Sequence, residues 1–254
     1  MTRLGHVARP LVTLSVLVLI WWVVGRVAAI PAYLLPDPES VAIALWQQRE
    51  LLAWSTLTTL TETVLGLLIG TLLGAACALA MVFSRHVQRW LMPLLLLSQA
   101  VPVFALAPLL VLWFGFGISS KVVMAVLVIF FPVAASLADG LRRTDPGWLD
   151  LARTMGARPF SILRHVRLPA ALPSFGSGLR VATAIAPIGA IIGEWVGASS
   201  GLGYVMLNAN ARIQTDVMFA ALFVLAAMTI LLWTAVDRLL RRLLYWAPET
   251  TTMP

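Results

Sequence analysis

Charge is scarce in this sequence: Asp, Glu, Lys and Arg make up 11% of its 254 residues, against about 25% in a soluble domain. Lysine occurs once, as Lys121, and cysteine once, as Cys77 inside an apolar run. A lone cysteine excludes a disulfide scaffold, and the shortage of polar sequence excludes a disordered chain. There is no Gly-x-x-x-x-Gly-Lys-[Ser/Thr] phosphate loop, so ATP hydrolysis by that route is excluded. His/Cys clusters with metal-ligand spacing are lacking too, and no metal site is expected. The three histidines, His6, His86 and His165, flank apolar runs, and no run holds two aspartates. The Ser–His or Asp–Asp pair of an intramembrane protease is therefore missing, and no catalytic residue is expected.

What the sequence has is hydrophobic side chains, at 60% of positions with a mean hydropathy of +0.92. Six nearly charge-free stretches, each about 17 to 26 residues long, are of the length that crosses a bilayer. They cover roughly residues 11–29, 57–83, 91–113, 122–138, 175–196 and 217–236. The expected fold is all-α, a polytopic transmembrane bundle forming one domain over residues 1–254. At the N-terminus, Arg3 and Arg9, the apolar run from Leu11 and the small residues Val27-Ala28-Ala29 also fit a cleaved signal peptide. Trp21, Trp22 and Arg26 argue for retention. Cleavage would leave five spans in the same orientation.

The basic residues are almost all arginine and sit in short loops, so they read as orientation signals rather than as a nucleic-acid surface. With a cytoplasmic N-terminus that side holds thirteen arginines, from Arg3 to Arg242, whereas the other holds Arg26, Arg49, Lys121 and Arg212. The asymmetry places both termini inside. Trp54, Trp90, Trp113 and Trp195 fall near span ends, where an amphipathic ring suits the headgroup layer.

The segment 139–173 is long for a passive connection. Asp145-Pro146 is a helix start, with Asp able to cap free N–H groups and Pro tolerated at the first position. Either Leu149 or Trp148, with Ala152 and Met155, falls at helical spacing, and Gly156 reads as the stop. A second short helix is expected from Pro159 to about Val166, broken by Leu168-Pro169. Exposed apolar and Arg faces suit either a docking surface or a helix lying in the headgroups.

The spacing Asp150-Leu151-Ala152-x-x-x-Gly156, nine residues, then Val166-x-Leu168-Pro169 resembles the EAA loop of ATP-binding-cassette importer permeases. Asp stands for Glu, Leu for the first Ala and Val for Ile, while Gly and Leu-Pro keep register. The resemblance covers about residues 57–240 and implies the type I importer permease architecture. It further implies a homodimer in a bacterial inner membrane, two separate ATPase subunits carrying ATP and Mg, and a periplasmic or lipid-anchored binding protein. This chain would itself bind no cofactor, and its only other surroundings would be lipid. Asp150, Leu151, Ala152, Gly156 and Ala157, with Leu168 and Pro169, would couple to the ATPase. Gln99-Ala100-Val101-Pro102, Pro108 to Gly115, and Gly193 to Tyr204 resemble the nitrate, sulfonate and taurine branch, closest to permeases for pyrimidine precursors of thiamine. An ATP-independent transporter or channel would also suit six spans, but not a patterned cytoplasmic loop.

Pathway candidates follow from polar or backbone-breaking residues inside spans. Glu194 either lines the cavity near Pro187 and Gly189 or is an interfacial carboxylate pairing with Arg212. Glu62 lies nearer an outer edge, and the interfacial reading is favoured. Gln99, Pro102 and Pro108 mark a loosened backbone or a packing kink. Gly66, Gly70 and Gly74 are spaced for close helix contact, within the subunit or at a dimer seam.

Overall fold

The computed structural model describes residues 4–28 and 30–247. Arg3 and Ala29, which entered the reading of the first span, lie outside them, as do the side chains of Arg9 and Leu11. Among the described residues the regular structure is helical: α1 (Leu4–Val27), α2 (Pro38–Gln47), α3 (Arg49–Phe83), α4 (Arg85–Ala100), α5 (Val103–Phe114), α6 (Ile118–Arg142), α7 (Pro146–Thr154), α8 (Pro159–Ile162), α9 (Leu168–Gly197), α10 (Leu202–Ala211) and α11 (Thr215–Leu243). A π-turn, Leu163–Arg167, joins α8 to α9.

The chain divides into two units. The first comprises residues 1–58 and 200–226. Within it Trp21 packs on Phe219 and Phe223, with ring centroids 5.9 and 5.6 Å apart, and Thr215 Oγ1 donates to the Ala32 carbonyl at 3.0 Å.

The second unit, residues 59–199 and 227–254, is organised around α6. That helix packs extensively against α9 and also contacts α5 and α4. Glycines allow the approach. A Cβ on Gly66 of α3 would lie 2.4 Å from Ala125 Cβ, and one on Gly189 of α9 would lie 2.6 Å from Ala125 Cα. Ala125 is thus gripped from both sides, and Gly70 and Gly74 continue the α3 seam along Ile129 and Phe130. In lipid no hydrophobic force draws helices together, so close backbone packing supplies the attraction. The three glycines of α3 accordingly serve contact within the subunit.

The apolar runs understate the helices, because hydropathy senses only the hydrocarbon layer. The second span begins eight residues earlier than expected, at Arg49, and the sixth continues through Asp237-Arg238 to Leu243. Among the described residues four helices are long and apolar enough to cross a membrane: Arg49–Phe83, Ile118–Arg142, Pro159–Gly197 and Thr215–Leu243. The expected third span is not one rod. His86–Ala100 and Val103–Phe114 meet at 99° across Val101-Pro102, since Pro102 has no N–H to continue the ladder and pushes Val101 into an extended conformation, at ψ 119. That pair makes a fifth span if it crosses as one, and Ser15–Val27 within α1 is a shorter apolar helix.

Leu168-Pro169 does not end a helix. The chain stays helical from Pro159 to Gly197, because the wider π-turn comes immediately before the proline. The Leu168 N–H reaches back five residues to the Leu163 carbonyl, and a π-bulge of this kind absorbs what a proline would otherwise break.

Candidate functional site

Two sites emerge within the second unit. The first is the connection between α6 and α9. Asp145 caps α7, its Oδ1 accepting from the Gly147 N–H at 2.7 Å, and Pro146 takes the first turn. The helix ends in a Schellman turn: Gly156 N–H bonds the Arg153 carbonyl at 2.9 Å and Ala157 N–H bonds the Ala152 carbonyl at 3.0 Å. Gly156 supplies the left-handed residue this turn requires, at φ +75, and a Cβ there would meet no atom within 4 Å. The cap and stop expected from the sequence are therefore both present.

Of the two apolar faces left open for α7, Leu149 turns inward at 9% exposure, whereas Trp148, Leu151 and Met155 are 59, 61 and 78% exposed. Phe160, at the start of α8, is also exposed. Trp148, Leu151, Ala152 and Met155 form one wall of a cavity of about 600 Å³ whose other wall includes Val166, Pro169 and Pro173. Asp150 is solvent-facing and paired with Arg153 at 2.8 Å. An exposed apolar helix end set in a capped turn is a surface that a partner could cover. The site residues Asp150, Leu151, Ala152, Gly156 and Ala157 all lie on α7 or its closing turn. Leu168 and Pro169 open α9, and only Pro169 borders the cavity.

The second site is polar and buried. Glu194 is 1% exposed and Glu62 is 3% exposed, which overturns the interfacial reading of both. Thr59 Oγ1 donates to Glu194 Oε1 at 2.6 Å. Lys121, expected as an outer loop charge, is 2% exposed. Its ammonium donates to the carbonyls of Phe116, Gly117 and Gly197, the last two at 3.0 and 2.8 Å, and its stem lies over Gly193, where a Cβ would come 2.9 Å from Lys121 Cγ. Hydropathy averaging dispersed these residues into three separate spans. The one available signal was that the chain's single lysine follows Ser119-Ser120 at the head of a span rather than sitting in a loop.

The four pathway candidates separate. Glu194 and Pro187 are enclosed by protein, whereas Gln99 and Pro102 are exposed at the α4–α5 bend. Among the described residues no group of three or more His, Cys, Asp or Glu is placed to hold a metal.

Residues 66–244 match the family of binding-protein-dependent transport system inner membrane components. The chain belongs to this family of ABC transporter permeases. It is 52% identical to a probable ABC transporter permease protein of Haemophilus influenzae, over 93% of this chain and 97% of that one. It is 38% identical to a formylaminopyrimidine transport permease protein of Halalkalibacterium halodurans, over 97% and 98%. Among solved structures, an inward-facing form of the MetNI methionine ABC transporter superposes with a TM-score of 0.68 at 22% identity, covering 77% of this chain and 97% of that one. The fold is thus that of an ABC importer permease, and the expected all-α membrane bundle is its architecture. Family membership implies an ATPase and a substrate-binding protein as partners, and the family's permeases are the membrane subunits of their transporters.

Proposed function

We propose that this permease works as a homodimer in a bacterial inner membrane, with both termini cytoplasmic, and that its capped α7 seats in a cleft of the ATPase. The observation that carries this reading is the exposed trio Trp148, Leu151 and Met155 beside the Gly156 turn. A short apolar helix end held rigidly to a spanning helix converts a partner's closure into a displacement of that helix. ATP and Mg belong to the partner, and this chain does no chemistry. Gln99 and Pro102, exposed at the α4–α5 bend, line the path of the solute, while Glu194 and Pro187 fix α9 behind it.

The solute is small and polar, and a pyrimidine precursor of thiamine is the proposed class, supported by the formylaminopyrimidine permease at 38% identity. The test is purification of the tagged chain from native membranes in mild detergent. Recovery of a P-loop ATPase that is lost in Gly156→Asp supports the docking assignment. A co-purified binding protein that takes formylaminopyrimidine in preference to taurine supports the substrate class, and the reverse preference replaces it with a sulfonate. Recovery of this chain alone, with ATP-independent flux in liposomes, overturns the reading.

A further inference from the structure

Between Asp150 and Glu194 the sequence holds no acidic residue but five arginines, Arg153, Arg158, Arg164, Arg167 and Arg180. Two of them line one small cavity, of about 290 Å³, within the second unit. Three parts of the chain meet there: Val82 and Phe83 end α3, Arg153 stands on α7, and Ile162, Leu163 and Arg167 come from α8 and the π-turn. No carboxylate lines this cavity, and it shares no residue with the one beside Trp148, Leu151 and Met155.

The two arginines are incompletely used. Arg153 Nη1 is paired with Asp150 at 2.8 Å, but both side chains are more than half exposed, and such a pair contributes little. Arg167 Nε is buried with no hydrogen-bond partner. A guanidinium stays charged and presents its five N–H donors as a planar fork, and a buried donor of a charged group is costly to leave unbonded. A phosphate accepts such a fork in two parallel bonds and has oxygen to spare for a second guanidinium. The apolar lining indicates where the phosphate comes from. The helix α3 is long and apolar enough to cross the membrane, and Phe83, its last residue, is 62% exposed. The cavity therefore lies where a spanning helix leaves the hydrocarbon layer, the level of the lipid headgroups. Ile162 and Leu163, 9% and 6% exposed, add to the apolar side. A phosphate attached to acyl chains makes use of such a wall and a free anion does not, and basic pockets at the ends of spanning helices suit acidic headgroups.

We propose that this cavity binds the phosphate of an acidic phospholipid, held by Arg167 first and Arg153 second, with the apolar part of the lipid against Phe83. A lipid seated there bridges the end of α3 and α7, and so braces the base of the docking loop. The site requires that α3 end at the membrane surface. It depends neither on the ATPase assignment nor on which solute is carried.

The test is native mass spectrometry of the purified transporter complex, stripped of lipid in detergent and titrated with phosphatidylglycerol or phosphatidylcholine. The wild type is expected to retain phosphatidylglycerol in preference, and Arg167→Gln to bind it about fivefold more weakly, the share of one arginine at an anionic surface. Glycerol 3-phosphate, the phosphate without the chains, is expected not to displace the lipid, and displacement overturns the lipid source in favour of a free phosphate. Equal retention of the two lipids by the wild type, or undiminished phosphatidylglycerol binding by Arg167→Gln, overturns the proposal. Loss of the ATPase from Arg167→Gln before any lipid is added assigns the cavity to an acidic side chain of that partner, and overturns it too. Should Arg167→Gln fail to fold, Arg153→Gln takes its place in the titration, and unchanged phosphatidylglycerol binding there overturns the proposal as well.

Discussion

Thr59 and Glu194, 135 residues apart in sequence, are joined by a 2.6 Å hydrogen bond inside the bundle. Both are buried, and the bond holds the first helix turns of the second unit to the far end of α9. Replacing Thr59 by Val keeps the shape and removes the donor. The expected cost is about 1–2 kcal/mol, the range for hydrogen bonds between membrane helices and to charged groups. Unfolding of the purified permease in detergent measures it, and an unchanged transition would mean that Glu194 finds another donor at no cost.

Gly189→Ala is expected to be among the most disruptive single substitutions in the chain, since the new Cβ falls 2.6 Å from Ala125 Cα and 2.9 Å from its N. Backbone cannot yield as a flexible side chain does, and overpacking of this kind costs about 1–3 kcal/mol or more. Gly117→Ala is the matched control, with only Ser119 Oγ nearby at 3.8 Å. Monodisperse yield after extraction should fall for the first and hold for the second.

At Gly156 the backbone requirement can be separated from the docking requirement. Gly156→Asn is expected to be tolerated, because Asn adopts the left-handed conformation readily and its side chain enters open space. Gly156→Asp places a charge at the same point, beside an apolar face. Membrane insertion should be normal for both, and ATPase recovery in affinity purification should be lost only for Asp. Equal recovery would detach the turn from the docking surface.

Leu149 and Leu151 make a sharper contrast on a single helix. Leu151→Asp alters a side chain that is 61% exposed, so stability should change by under about 0.5 kcal/mol while ATPase association falls. Leu149→Asp buries an unpaired carboxyl and should destabilise the chain itself. Two variants with the same effect on association and on thermal stability would argue that α7 has no dedicated docking face.

The elements legible in the sequence were those set by local chemistry. Asp145-Pro146 and Gly156 act on their own neighbours, so cap and stop could be placed to the residue. Gly66, Gly70 and Gly74 announced a close contact through spacing alone. What could not be read depended on partners distant in sequence. Lys121 looked like a loop charge until Gly193 supplied the space for its stem and Gly197 an acceptor. Glu62, only 3% exposed, looked peripheral because it stands near the edge of its apolar run. Leu168-Pro169 read as a break because proline is judged by its own missing N–H, whereas the adjustment occurs in the preceding turn. Val101-Pro102 marked a loosened backbone, but a 99° bend rather than a mild kink is a matter of what packs on either side.

The unbroken stretch from Pro159 to Gly197 is 39 residues, or roughly 58 Å at 1.5 Å per residue, about twice the hydrocarbon thickness of a bilayer. Phe160 rides at one end and Glu194 near the other, with only the π-turn between them. Such a strut has no elbow at mid-membrane where motion could be dissipated. A displacement applied at the Phe160 end would therefore reach the turn that carries the buried Glu194, and the π-turn, where the ladder changes register, would set how much of it arrives.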